Sequence, residues 1–340
     1  MQSERSVPTL DDVAKAAGVS TATVSRCLNS PDRVVDKTRK RVLQAVEELG
    51  YAPNFGARIM AVKRSFTIGA IVPTMENAIF ARGLQAFQEE LHKRGYTLLV
   101  ASSTYQPDLE REQVHKLVSR GADGLLLIGH DRDPAVYEFL KNQQVPALVA
   151  WTYAATAPQR SVGFDNRVAM RRLADEILGL GHTRIGVISA ARQGNDRVRQ
   201  RIEGINDALM SKGLSPTSLN TVETTYDVDQ VARAFDALMA VRPRPTVVIC
   251  GNDVLAVGAL RRAYDLGIKV PQDVSITGFD DIELARIVVP ALTTVHVPHQ
   301  KMGRTAAQEL VDMVENKTTG ASVKLETHIR IRESLAAPQQ

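Results

Sequence analysis

From residue 65 onward the chain alternates short apolar runs with amphipathic stretches, and this alternation restricts the fold more than any other feature. The runs fall at 68–72, 97–101, 124–128, 147–150, 161–164, 184–188, 246–250 and 275–278. Helix-like segments lie between them, for example 80–94, 109–120, 168–180 and 254–266. Strand–helix alternation predicts parallel sheets covered by helices on both faces. So many units suggest two doubly wound lobes rather than one sheet. Ligands of such folds sit beyond the carboxyl ends of the strands, so two facing lobes would form a cleft there. With 340 residues and 44% hydrophobic side chains, the chain can fill a large core.

Several classes are disfavoured at once. No apolar run approaches the ~18 residues of a membrane span. Residues 1–7 are charged and lack an apolar core, so they do not read as a secretory signal. The two cysteines, Cys27 and Cys250, form no CxxC pair, which fits a reducing cytosol and argues against a disulfide scaffold or zinc ribbon. Dinucleotide, P-loop, nucleophile-elbow and zinc-protease motifs are missing, so neither an enzyme nor a cofactor or metal is expected. Asp253, Asp280 and Asp281 would be the candidates for paired carboxylates. His130, His182, His296 and His299 are scattered rather than spaced as metal ligands, and read as surface or hydrogen-bonded histidines.

The net charge of +4 is unevenly placed. Residues 1–64 hold 11 Lys/Arg against 7 Asp/Glu, leaving 31 of each in the rest of the chain. A small basic module on a neutral body is the footprint of a polyanion binder, although such an excess also occurs as ordinary surface variation. Three short helices are predicted in this module. The first opens at Thr9 with Asp12 at capping-box spacing, and carries the stripe Leu10, Val13, Ala14, Ala17 before Gly18. Ser20 caps a second, Thr21 to Asn29, whose apolar side is Val24, Cys27 and Leu28 and which Pro31 ends. A third runs from about Lys37 to Leu49 and stops at Gly50. Two helices joined by a tight glycine turn, closed by a third, describe a helix-turn-helix. Its second helix would lie in the major groove, with Arg26 suited to a guanine edge. Thr21 and Ala22 suit small base contacts, and Ser20, Thr23, Ser25 and Asn29 suit phosphates. The same spacing also suits a three-helix bundle used for protein contacts, with Arg26 a solvated charge.

The runs TLDDVAKAAGVSTATVSRCLN and KTRKRVLQAVEELGYAPN closely resemble the headpiece of the lactose-repressor (LacI/GalR) family over more than forty residues. The resemblance implies base-reading roles for Thr21, Ala22 and Arg26. It implies backbone contacts for Ser20, Thr23, Ser25, Asn29, Thr38 and Asn54. It departs at Val35, where the family often has a serine cap that Asp36 is expected to replace, and at Cys27, where an aliphatic residue is common. The segment from Pro53 to Ala61 resembles the family's hinge helix, which folds on DNA and wedges a side chain into the minor groove. Here the wedge position is Met60, beside Ala57, and Gly56 lowers helix propensity by about 1 kcal/mol relative to Ala. A plain interdomain linker is the alternative.

The body resembles the periplasmic-binding-protein-like effector domain of the same family, through GYTLLVASS, RGADGLLLIG, GHTRIGVIS, ICGNDVLAVGAL and VSITGFDD. By that resemblance Arg201, Asn252 and Asp280 contact an effector. Phe80 sits where a purine-binding member stacks its ligand, and Asn77 lies in the same loop. Each also has a structural reading: Asp280 as a helix cap, Phe80 as packing. Trp151, the one tryptophan, stands where sugar-binding members often carry an aspartate, and would stack on a ligand or fill space. The run VGFDN, 162–166, resembles gluconate-type repressors and tilts the expectation toward a sugar acid, with Arg201 facing its carboxylate.

The expected organisation is therefore a helix-turn-helix headpiece at 1–52, a hinge at 53–64, and a core at 65–340 of two doubly wound parallel-sheet lobes. Those lobes are placed at 65–163 plus 293–325, and at 164–292 plus a C-terminal strand. The function implied is a cytoplasmic, nucleoid-associated repressor, binding a palindromic operator as a homodimer and controlled by a sugar or sugar acid. No heptad run follows Glu333, so no C-terminal coiled coil is expected. The rival readings are an exported solute-binding protein and a sugar-metabolising enzyme.

Overall fold

The computed structural model describes residues 7–29, 31–52, 64–76, 78–216, 219–316 and 320–339. The chain forms two compact units, divided after Ser65.

In the first unit, α1 (Leu10–Ala17) opens on the capping box foreseen at Thr9 and Asp12, and closes on Gly18 in the left-handed conformation. The second helix, α2 (Thr21–Asn29), is entered through Ser20, whose hydroxyl accepts from the Thr23 amide at 3.2 Å. Helix α3 (Asp36–Leu49) ends on left-handed Gly50. Val35 precedes α3 without any side-chain cap, and Asp36 pairs with Arg39 at 3.1 Å instead of replacing the serine. Because Asp36 is itself the first helical residue, its carboxylate sits at the wrong position to cap the turn. Val13, Ala17, Val24, Cys27, Val42 and Tyr51 form the small core, so Cys27 is packing.

The second unit contains two six-stranded sheets. The first has the order β2-β1-β3-β4-β5-β11: β1 (Thr67–Val72), β2 (Thr97–Ser102), β3 (Gly124–Ile128), β4 (Ala147–Ala150), β5 (Ser161–Gly163) and β11 (Val323–Lys324), all parallel. The second has the order β7-β6-β8-β9-β10-β12: β6 (Ile185–Ser189), β7 (Asn220–Glu223), β8 (Val247–Cys250), β9 (Ser275–Asp280), β10 (Thr293–His296) and β12 (His328–Arg330). Only β12 runs antiparallel to its neighbour among the paired strands described. The central strands are buried along their length, as their unbroken apolar runs require in a sheet covered on both faces.

Strand β10 corrects the expected division of the lobes. The assignment of 293–325 to the first lobe places it there, yet Thr294 pairs with Gly278 and Arg330 of the second sheet. The chain returns to the first lobe only at α12 (His299–Val314), which packs along α4 (Ala78–Lys93). That packing is close: a Cβ on Gly303 would lie 2.0 Å from the Gly83 carbonyl oxygen. The crossovers between lobes therefore fall at 164–165, 297–298 and 325–327. One apolar core runs through them, with Phe164 tilted against Phe279 at 5.8 Å.

Candidate DNA-reading face and effector cleft

On α2, the buried residues Val24 and Cys27 face the small core, and helical spacing turns Thr21, Ala22 and Arg26 outward, where all three are exposed. Thr23 and Ser25 are half-buried beside them, and the Thr23 hydroxyl bonds Ser20 at 2.9 Å. Arg26 makes no ion pair among the described residues, so its guanidinium is uncommitted. Thr38 is half-buried near the start of α3, whose exposed side carries Lys37, Lys40 and Arg41. Asn29 ends α2. The expected contacts Asn54, Ala57 and Met60, and most of the expected hinge, lie outside the described residues.

In the second unit, α8 (Asp196–Ser211) delivers Arg201 to the ends of β8 and β9. Its Nε donates to Asn166 Oδ1 at 2.9 Å, its Nη1 donates to the Gly251 carbonyl, and its guanidinium lies 3.7 Å from the centre of the Phe279 ring. Nη2 stands 3.9 Å from Asp280 Oδ1, an ion pair longer than a hydrogen bond. Burial pulls this guanidinium below its ordinary value, and Asp280 opposes the shift. Asp280 is wholly buried, and neither of its carboxyl oxygens has a hydrogen-bond partner among the described residues. It caps no helix.

Asn252 is buried and does cap one. Its Oδ1 accepts from the Leu255 amide at 3.0 Å, starting α10 (Asp253–Asp265). Phe80 and Trp151 meet edge to face at 5.3 Å, both buried, so Phe80 packs on the indole instead of presenting a free stacking face. Trp151 has a positive φ of 61°, Asp280 of 106° and Asp281 of 53°, in a region non-glycine residues rarely occupy. Strain of this kind, at the carboxyl ends of the strands where open α/β sheets bind their ligands, fits a functional constraint. Asn77 lies outside the described residues.

Sequence reasoning missed the residue that joins these groups. Asn166, at the end of the VGFDN run, donates to the Trp151 carbonyl at 3.1 Å while accepting from Arg201. It thereby ties the first lobe to the second. Other bridges also went unforeseen. Asp196 accepts from the His130 amide at 2.8 Å, Arg199 forks onto Asp131, Arg82 pairs with Glu283, and the Tyr105 and Tyr226 hydroxyls lie 3.3 Å apart over stacked rings. A cavity of about 600 Å3 opens between the lobes, lined by Thr74, Met75 and Tyr105 on one side and Thr225, Tyr226 and Val254 on the other.

The remaining carboxylates are committed to the fold. Asp253 accepts from Thr294 and from the Ile282 amide at 2.8 Å, and burial raises its carboxyl well above the ordinary range. Asp281 holds His296 at 2.9 Å and Arg332 at 2.6 Å. No cluster of three metal-binding side chains occurs among the described residues. No helix among them is long and apolar enough to cross a membrane.

A three-helix unit with an exposed, capped reading helix, and a two-lobed α/β body with a cleft, define a DNA-binding transcription regulator with an effector domain. The model of bacterial regulatory proteins of the lacI family matches residues 9–54, and that of the periplasmic binding protein-like domain matches residues 174–335. The HTH-type transcriptional repressor PurR of Photobacterium profundum is 30% identical over 96% of this chain and 98% of its own length. The transcriptional regulator CelR, solved as its cellobiose complex, is 30% identical over 96% of this chain and 99% of its own, with a TM-score of 0.70. The lac repressor dimer, solved with operator and the anti-inducer ONPF, covers 98% of this chain and 100% of its own at 25% identity and a TM-score of 0.85. The chain belongs to the lacI family.

Proposed function

We propose that this regulator binds a palindromic operator as a homodimer, acts as a repressor, and is controlled by a sugar-like metabolite held between the two lobes of its core. The observation that carries the reading is the outward face of α2, where Thr21, Ala22 and Arg26 are exposed and Arg26 is uncommitted. Arg26 reads a base, and Ser20, Thr23, Ser25, Asn29 and Thr38 hold phosphates. Asn54, Ala57 and Met60 complete the contact through a hinge at 53–64, between a headpiece at 1–52 and the effector core. Arg201, Asn252 and Asp280 hold the effector, with Phe80, Trp151 and Asn77 around it. The lac repressor dimer solved on its operator and the CelR–cellobiose complex support both halves of the reading. A role on DNA fits a cytoplasmic protein associated with the nucleoid.

Control follows from linkage. An effector that prefers one arrangement of the lobes shifts the population toward it, and its effect on DNA affinity equals the effect of DNA on its own affinity. The test is recovery of genomic DNA fragments on purified protein, wild type beside Arg26→Ala and Met60→Ala. A palindrome enriched by wild type and weakened in both variants supports the proposal. Weak, salt-sensitive binding without a motif, in the presence and absence of sugars, sinks it.

A further inference from the structure

We infer that His299 is a ligand-binding residue of the effector cleft, and that with Asp280 and Trp151 it selects uncharged polyhydroxy compounds over carboxylates. This rests on the effector reading of the cleft given above. Four atoms of these three side chains are buried without a hydrogen-bond partner among the described residues: Asp280 Oδ1 and Oδ2, His299 Nδ1 and Trp151 Nε1. The side chains themselves are almost wholly buried, at 0%, 5% and 2% exposure. They come from both lobes yet form one cluster. His299 Nε2 lies 3.1 Å from the Asp280 carbonyl oxygen and 3.8 Å from its Oδ1, and the Trp151 and His299 ring centres are 6.4 Å apart.

The hydrogen-bonding sense of each atom follows from its surroundings. A carbonyl only accepts, so His299 Nε2 carries the proton that it donates to Asp280. Burial pushes the imidazole below its usual value, which keeps it neutral and leaves Nδ1 as a bare acceptor. The cluster thus offers three acceptor atoms, the Asp280 oxygens and His299 Nδ1, against one indole donor. A carboxylate brings only acceptors, and would face the Asp280 charge. Arg201 does little to redress this, because two of its nitrogens are already spent on Asn166 and Gly251 and its charge faces Asp280. Hydroxyl groups bring donors for the acceptors and a lone pair for the indole. Buried polar groups left unpaired discriminate strongly against a ligand that lacks the matching group. The geometry therefore departs from the sugar-acid expectation raised by the VGFDN run, whose Asp165 and Asn166 serve as a helix cap and a bridge.

Calorimetric titration of the full-length protein with neutral and acidic compounds on one carbon skeleton tests this. The pairs are cellobiose and cellobionate, ribose and ribonate, and glucitol and gluconate, with fluorescence of Trp151, the chain's one tryptophan, as a local reporter. The expected result is at least one neutral member that binds tenfold or more tighter than its acid and changes the Trp151 emission. His299→Gln keeps a donor for the Asp280 carbonyl but leaves no acceptor at the Nδ1 position, and should weaken that binding at least tenfold. His299→Asn, which places a carbonyl oxygen near the Nδ1 position, should weaken it less. If the histidine variants melt before they can be titrated, Trp151→Phe takes their place, with a several-fold loss expected. Tighter binding of an acid, no binding of any neutral member, or wild-type affinity in His299→Gln or in Trp151→Phe overturns the inference. DNA release by the same samples separates the two readings. An acid that frees DNA while no neutral compound binds leaves the regulator intact and sinks this inference. A neutral sugar that binds without affecting DNA supports the inference and sinks control by that ligand.

Discussion

Arg199 of the second lobe forks onto both carboxylate oxygens of Asp131 of the first, one bond measuring 2.7 Å. The pair spans the cleft but is not deeply buried, with side chains 40% and 30% exposed. Such a pair contributes about 0–1 kcal/mol. It biases closure of the lobes without causing it. Arg199→Ala should lower effector affinity by up to about fivefold, on the order of 1 kcal/mol. The difference from wild type should shrink in about 1 M salt, where the screening length is about 3 Å. A loss that is large and indifferent to salt would show that Arg199 packs rather than latches.

The approach of α4 to α12 gives a stability prediction. At Gly303 a methyl group would meet backbone, the Gly83 carbonyl, at 2.0 Å, and no flexible side chain can yield. Gly303→Ala should cost about 1–3 kcal/mol or more, read as a lowered denaturant midpoint with an unchanged slope. Gly179→Ala is the control, since a Cβ there meets nothing within 4 Å.

Arg26→Ala should cost about 1–3 kcal/mol of operator affinity and relax preference at one base position in each half-site. Lys40→Ala, exposed on α3, should weaken all sequences alike and lower the salt slope by about one. Competition binding to a set of singly substituted operators distinguishes the two. Equal behaviour of both variants would remove Arg26 from base reading.

His182 supplies a pH prediction. Its Nδ1 faces the Thr246 hydroxyl at 2.9 Å and its Nε2 the Ala336 carbonyl at 2.8 Å, pinning the C-terminal tail to the second lobe. Burial lowers this imidazole below the usual 6.5, against the raising effect of the Ala336 bond. The unfolded chain therefore takes up a proton first as the medium is acidified. Stability is whole above pH 6.5 and drains away as pH falls through the lower folded value. His130 and His299 are lowered in the same sense, also by burial. His182→Gln should flatten part of the stability slope below pH 6.5 in chemical denaturation. An unchanged slope would mean that His182 binds its proton equally well in the folded and the unfolded chain.

Much of this fold was legible because its central parallel strands carry apolar runs and its helices open on visible caps such as Thr9 and Ser20. Strand β10 was not legible, because its buried threonines face polar partners: Thr294 bonds Asp253 and Thr293 bonds the Arg332 carbonyl. A strand that buries hydroxyls carries no hydrophobic signature. In the cleft, Arg201 and Asp280 were found by resemblance and do come together. His299 was visible in the sequence but lies 19 residues beyond Asp280, and only the lobe crossover at 297–298 brings the two side by side. Asn166 looked like part of a motif, while its work depends on a carbonyl 15 residues upstream that no side-chain pattern encodes.

The three crossovers between the lobes have a mechanical consequence. Two bodies joined by one strap can swing and twist freely; joined by three short straps, they share few ways to move. The passages at 164–165, 297–298 and 325–327 should therefore resist torsion and leave bending as the soft motion. Effectors of different size then differ in how far the lobes travel along one path, not in the direction they take. The cleft reports a ligand as a single scalar, and whatever responds to it reads that one number.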